Sequence, residues 1–442
     1  MQAYRMLARL QYPYRFTLLL AAALLVGVMV SYQPVLSMLA ATALCIMFLC
    51  LYKPEWVSYL VLLSTSVSIN LVFPDVSVGM ELLSVYKMGM LLLLAPCMLL
   101  YGLRLKFGSP ILALLVMLMI TFSFSNWLPG YGMGIAIKAF IGLAIPFVIL
   151  MIKWEQKVAD VHLKLLCILP LVSILAGLVL EGLHFYPFLS VEFTGAVRVQ
   201  GANIPPHLAM LAVLGMMIAL METRRKADSK TYFMVMMVIN FAILVATGTR
   251  GPLLAALALL VCYAADIIRN YVKGQSKLFV PIAAGGAVVM LAAYLQWDNM
   301  KKRSFERSTD TGIDLSDRNI AWEFFLKKVE DYPWSGRGLG SATIANDGSL
   351  YQGFVVPHNE YIRFYFDSGY IGCALLFLTL FLVFGMVYRV LPRQLKPYYL
   401  AFILGFLIYS FSDNTLSTVQ FIIPFCWYLN VLYTVSRDPD SP

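Results

Sequence analysis

The chain has 442 residues, 60% hydrophobic and only 13% charged, with a mean hydropathy of +0.78. No single water-soluble core could absorb that much apolar sequence, so the bilayer must act as solvent for most of it, which excludes an ordinary soluble enzyme. The formal charge of +9 could suggest an anionic partner, but in a membrane chain the plainer source is the basic bias of cytoplasmic loops.

In chain order, Arg5, Arg9 and Arg15 precede a first apolar run. No small-x-small cleavage site follows, only another hydrophobic segment after Gln33-Pro34, so a retained first span is expected. Runs long enough to cross a membrane are predicted near 16–31, 35–51, 56–73, 88–102, 111–124, 135–152, 165–180, 208–221, 232–246, 252–268, 278–295, 371–387, 399–412 and 418–435. The expectation is an all-α polytopic bundle of about 12–14 spans.

With the N-terminus in the cytoplasm, Arg104, Lys106, Lys153, Lys157, Arg224, Arg225, Arg269, Arg389, Arg393 and Lys396 all fall in short inner segments, as the positive-inside rule requires. Most other basic residues lie in the long outer segment 296–357 and the helix start after it, leaving Lys87, Lys138, Arg198 and Arg250 elsewhere on the outer side. Lys87 and Lys138 fit interfacial side chains reaching for water. The seven cysteines sit in or beside apolar runs without any CxxC spacing, which argues against disulfides and against a thiolate metal site.

Segment 296–357 lacks the composition of a linker and carries an amphipathic helix. From a Ser316-Asp317 cap, Ala321, Trp322, Phe325, Leu326 and Val329 repeat on one face while Glu323, Lys327 and Glu330 take the other. Asp331-Tyr332-Pro333 should stop it, with Gly336, Gly338 and Gly340 giving a flexible return to the membrane. The expected organisation is a transmembrane bundle (1–295), an outer loop subdomain with a lid helix (296–357) and C-terminal transmembrane helices (358–442).

The candidate chemistry lies on the outer side. Arg250, in Thr247-Gly248-Thr249-Arg250-Gly251-Pro252, stands at a helix entry, where unpaired N–H groups, the helix dipole and a guanidinium together suit a phosphate. Arg318 opens the lid helix in the same manner, and Arg198 precedes Pro205-Pro206 and the next span. His358 begins a helical pattern continued by Ile362 and Tyr365, with Asn359, Glu360 and Arg363 beside it, so its imidazole should stand at the outer mouth of the bundle. There it can serve as a base or as a hydrogen-bond donor. Asp413, at the outer end of an apolar span, could pair with an arginine or orient the histidine or an acceptor. His162 and His184 are expected to be structural, and His207 is evenly balanced. No P-loop, GxGxxG fingerprint or HExxH is present, and the one DxD, Asp438-Pro439-Asp440, lies in the polar tail after the last apolar run, so a nucleotide-sugar enzyme, an ATP-driven transporter and a metalloprotease are poorly supported.

Thr249-Arg250-Gly251-Pro252-Leu253, Ser316-Asp317-Arg318 with Trp322, Tyr332-Pro333-Trp334-Ser335-Gly336-Arg337-Gly338, and His358-Asn359-Glu360-Tyr361 with Gly369 and Gly372 resemble the O-antigen ligase and O-antigen polymerase superfamily (WaaL and Wzy type). The resemblance covers roughly residues 198–413. It implies a GT-C type membrane glycosyltransferase of the bacterial inner membrane with its site facing the periplasm or exterior. Such an enzyme passes a glycan from undecaprenyl diphosphate to a sugar hydroxyl, with inversion and with neither metal nor cofactor. Arg250 and Arg318, with Arg198 at a more variable upstream position, would bind the diphosphate-linked donor, and His358 would activate the acceptor. Asp413 matches a late acidic position, with Asn359 and Glu360 as acceptor or orienting candidates. Implied partners are the lipid-linked donor, a sugar acceptor, membrane lipids and a chain-length regulator, with no nucleic acid. Polymerisation of a surface polysaccharide is the favoured activity, transfer to lipid A core the alternative. A lipid-linked oligosaccharide flippase is the different-class reading, but it predicts ionisable groups at mid-membrane rather than at span ends.

Overall fold

The computed structural model describes residues 53–72, 82–124, 126–192, 195–225, 229–274, 318–346 and 356–437, with scattered positions between 287 and 301. The expected spans 16–31, 35–51 and most of 278–295, and the Ser316-Asp317 cap, lie outside the described residues. The other expected spans are helical, apart from a break in 56–73. In chain order the helices are α1 (Pro54–Ser64), α2 (Ile69–Val72), α3 (Leu82–Tyr101), α4 (Ser109–Ser123), α5 (Met133–Met151), α6 (Gln156–Gly182), α7 (Pro205–Arg225), α8 (Lys230–Ala246), α9 (Arg250–Val272), α10 (Arg318–Val329), α11 (Glu360–Val390), α12 (Lys396–Ser412) and α13 (Val419–Ser436). Among the described residues nine are long and apolar enough to cross a membrane, which makes this a multi-pass membrane protein. The run expected over 56–73 is broken: α1 ends at Ser64, and Thr65 to Ser68 turn before α2, because serine and threonine side chains bond nearby carbonyls and so compete with the helix.

Two helices form the centre. Nearly all of α7 and α13 is buried, whereas α3 and α9 turn most of their surface outward. Bilayer lipid is as apolar as leucine, so helices associate here through close packing and hydrogen bonds rather than hydrophobic transfer. Trp427 of α13, fully buried, stacks on Trp154 at 5.6 Å, and Asn430 donates to the carbonyls of Ile149 and Ile152 at 3.0 and 2.7 Å while accepting from Arg104 at 2.7 Å. Pro96, Pro146, Pro170 and Pro424 sit inside helices, which neighbouring helices in a bundle can accommodate.

One hairpin interrupts the helices. Strands β1 (Leu189–Val191) and β2 (Val197–Val199) pair antiparallel with Ser190 opposite Arg198, an element the apolar pattern did not indicate.

The α10 boundary at Val329 agrees with the expected stop, since Tyr332 N–H closes onto the Val329 carbonyl at 2.9 Å. Its inner face is narrower than expected: Phe325 and Val329 are buried in a cluster with Phe366 of α11 and Ala321 is buried too, while Leu326 is exposed. The glycine-rich return is docked rather than loose. Arg337 and Gly338 N–H groups donate to the carbonyls of Phe366 and Asp367 at 2.8 and 2.9 Å, and Tyr370 N–H donates to Pro333 at 2.8 Å. This docking requires Gly369, whose φ of 63° breaks α11 into two helical pieces. A Cβ there would lie 2.2 Å from the Trp334 carbonyl carbon, so only glycine permits this approach.

Candidate active site

The Ser412-Asp413-Asn414 corner, where α12 ends and the chain turns toward α13, is where the outer-side residues converge. Three separate attachments hold it. Arg318, the first residue of α10, donates through Nη1 to the Ser412 carbonyl. One turn along the same helix, Trp322 donates to the Pro357 carbonyl at 2.8 Å and sets its ring 5.2 Å from Phe411. Glu360, fully buried at the start of α11, accepts from the N–H groups of Leu416 and Ser417 at 2.6 and 3.1 Å. The lid helix thus grips both chain segments that carry His358 and Asp413.

His358 differs from expectation in one respect: it precedes the helix. Asn359 is the N-cap of α11, its Oδ1 accepting from Tyr361 and Ile362 N–H at 3.0 and 3.1 Å, and His358 stands before it at φ 48°. A non-glycine residue in the left-handed region is uncommon, though histidine tolerates it better than most. The ring is about one-third exposed and its Nδ1 lies 3.3 Å from Asp413 Oδ1. A carboxylate only accepts, so this contact is a hydrogen bond when Nδ1 carries the proton, which leaves Nε2 as the basic nitrogen. Asn414 meets the same Nδ1 through Nδ2 at 3.2 Å, while its buried Oδ1 has no hydrogen-bond partner. Turning that amide over offers its oxygen to the ring N–H as a second acceptor and moves its NH2 to the unpartnered position.

Asp413 is itself held on every side. Its Oδ1 accepts from Asn414 N–H at 2.9 Å and its Oδ2 from the Tyr409 hydroxyl at 3.4 Å. Burial pushes its carboxyl up, but the hydrogen bond and charge of His358, the Arg318 guanidinium and the Asn414 N–H outweigh burial and hold it below the usual 3.8.

Arg250 reaches this corner through its helix. Thr249 is the N-cap of α9 and Arg250 its first residue, so the helix starts two residues before Pro252. Gly251 lets α9 approach the end of α12 closely, since a Cβ there would lie 2.9 Å from Ser412 Oγ. Ser412 therefore has Arg318 on its carbonyl and the Arg250-Gly251 entry against its hydroxyl.

Arg198 stands differently. Only 6% exposed, it donates through Nε to the Thr247 carbonyl at 2.6 Å, through Nη2 to Thr249 Oγ1 at 2.6 Å, and pairs with Glu192. Its fork is engaged with the turn that launches α9. Asn359 and Glu360 likewise face backbone groups within the protein. His207 lies close enough to feel the charges of Asp413 and His358 and contacts Ser68 Oγ at 3.1 Å, in a buried network with Asn203 and Gln420. His162 is fully buried against Ser58 at 2.9 Å, as a structural histidine would be. Tyr409, Asn414 and Ser412 were missed by the sequence reading, although two of them flank Asp413 directly.

Residues 233–377 match a family model described as O-Antigen ligase. Over those residues the chain is similar to the O-antigen ligase family. The match includes Arg250, Arg318 and His358, while Arg198 precedes it and Asp413 follows it. No curated protein matches the chain.

Proposed function

We propose that the protein transfers a glycan from undecaprenyl diphosphate to a sugar hydroxyl at the Ser412-Asp413 corner, polymerising repeat units of a surface polysaccharide. The observation that carries this reading is the meeting of an oriented imidazole with Arg318 and the α9 entry at one corner of the bundle. In the proposed step the acceptor oxygen forms its bond to the anomeric carbon as the bond to the diphosphate oxygen breaks. The acceptor proton passes to His358 Nε2, and the diphosphate leaves with the electron pair. Asp413 keeps the imidazole in the productive tautomer and stabilises the imidazolium. Arg250 and Arg318 hold the departing anion, where fixed positive charge counts most. Arg198 acts through Arg250, by fixing the Thr247–Thr249 turn. The donor bond supplies the free energy, so the reaction proceeds without nucleotide, cofactor or metal. Transfer that stops in chelator and returns with a divalent ion would contradict this mechanism.

The site is proposed to face the periplasm or exterior of the inner membrane, in keeping with the concentration of basic residues at the opposite end. A cysteine at the exposed Glu330 should then react with an impermeant thiol reagent from outside. The decisive experiment supplies purified protein with lipid-linked repeat units, with and without lipid A core. A ladder of products without core supports a polymerase, a single transfer to core shows a ligase, and no transfer in either mixture overturns the reading.

A further inference from the structure

The basic end of the bundle carries a groove that glycosyl transfer does not use. It lies where α7, α9 and α12 meet, holds about 560 Å³ and is lined by Arg224, Cys262, Asp266, Arg269, Gln394 and Tyr398. Arg224 is fixed there: it pairs with Asp266 at 3.0 Å and stands over the rings of Tyr263 and Tyr398 at 4.6 and 5.5 Å. Its Nε is buried without a hydrogen-bond partner. The Tyr398 hydroxyl occupies the same carboxylate at 2.9 Å. Arg269 is exposed about one turn along α9 from Asp266. One acid faces two guanidinium groups, so the groove is net positive.

The surroundings of the groove indicate what kind of anion it takes. Leu257 and Val261 on α9, and Leu400 and Leu404 on α12, are each more than half exposed and continue from the groove along the outside of the bundle. A free anion has no use for such a track, whereas acyl chains do. We propose that this groove binds the headgroup of an anionic phospholipid, its phosphate on Arg224 and Arg269 and its chains along α9 and α12. Basic recesses between membrane helices at the cytoplasmic side suit this chemistry.

The test titrates the full chain, in neutral detergent, with phosphatidylglycerol or phosphatidylcholine and counts retained lipids by native mass spectrometry. Phosphatidylglycerol should be retained at lower concentration. Arg269→Gln should weaken it about fivefold, as expected for one surface cation, and the Arg224→Gln/Arg269→Gln pair further, while phosphatidylcholine retention stays unchanged. A Lys157→Gln/Lys164→Gln pair, at the same end on α6, should have no effect. Equal retention of both lipids by the native chain overturns the proposal, as does an equal loss in the lysine pair, which would reveal only general basic attraction. Inorganic phosphate that displaces the lipid completely at about millimolar concentration overturns the acyl track. Arg269 is exposed, so its single substitution leaves the fold intact and decides the matter if the pair does not fold. The result is independent of glycosyl transfer.

Discussion

The two ends of the bundle both collect polar side chains, but they use them differently. At the basic end cations lie on aromatic faces and carbonyls: Arg104 on Asn430 and the Tyr433 ring, Lys106 on Tyr433, Arg224 between Tyr263 and Asp266. Such contacts anchor helices and fix orientation. At the other end, among the described residues, two cations open helices, Arg250 on α9 and Arg318 on α10, near the corner that carries the His358–Asp413 pair. A cation at a helix N-terminus gains nothing from the dipole; Arg318 is held there by the Ser412 carbonyl and the charge of Asp413 instead. Number marks topology; position marks chemistry.

The largest test of this contrast is His358→Ala, which should lower glycan transfer by about 10³-fold, in the range of a lost general base, with membrane insertion intact. Near-native transfer would remove His358 from the site. Arg318→Ala and Arg250→Ala should each cost about 10²-fold, and normal surface glycan at native expression would count against that residue. Next comes Asp413→Asn, at about tenfold. Because the carboxyl is held below 3.8, its contribution to folding is fully present above that ordinary value and is lost only as the pH falls through the lowered one. Asp413 should therefore stay ionised from about pH 6 to 8, and the loss in Asp413→Asn is to be read at about pH 8, above the range in which an ordinary imidazole titrates; a near-native rate there would remove Asp413 from the site. Arg198→Ala should slow transfer severalfold and also lower the unfolding temperature, since it strands Glu192 and frees the Thr247–Thr249 turn. An intact unfolding temperature with weakened donor binding would instead make Arg198 a direct contact. The smallest effect belongs to the basic end: Lys157→Gln should leave transfer within about twofold, as surface substitutions generally do.

Much of the site could be found from charge in the wrong place. Arg250 stands out as one of the few basic residues expected on that side outside segment 296–357, Arg318 and His358 because each opens a helical pattern, and Asp413 because it ends an apolar run. Their neighbours gave no such signal. Asn414 and Tyr409 are ordinary residues until the α12 corner folds them onto His358 and Asp413. Arg198 carried the same sequence signal as Arg250, and only the hairpin, with its three-residue strands, shows that its donors are taken. Such strands are too short for alternation to be read.

By itself the sequence determined the membrane class, the helices at the described positions, the crowding of basic residues at one end and the outlying arginines and histidine. These follow from local properties: hydropathy over a span and charge relative to it. Only the tertiary structure decided which of them meet. It paired Trp334 with Gly369 and Gly251 with Ser412 through approaches that no side chain allows, and turned Glu360 toward the backbone of another loop. Convergence depends on contacts between residues far apart in the chain, and no window of sequence contains them.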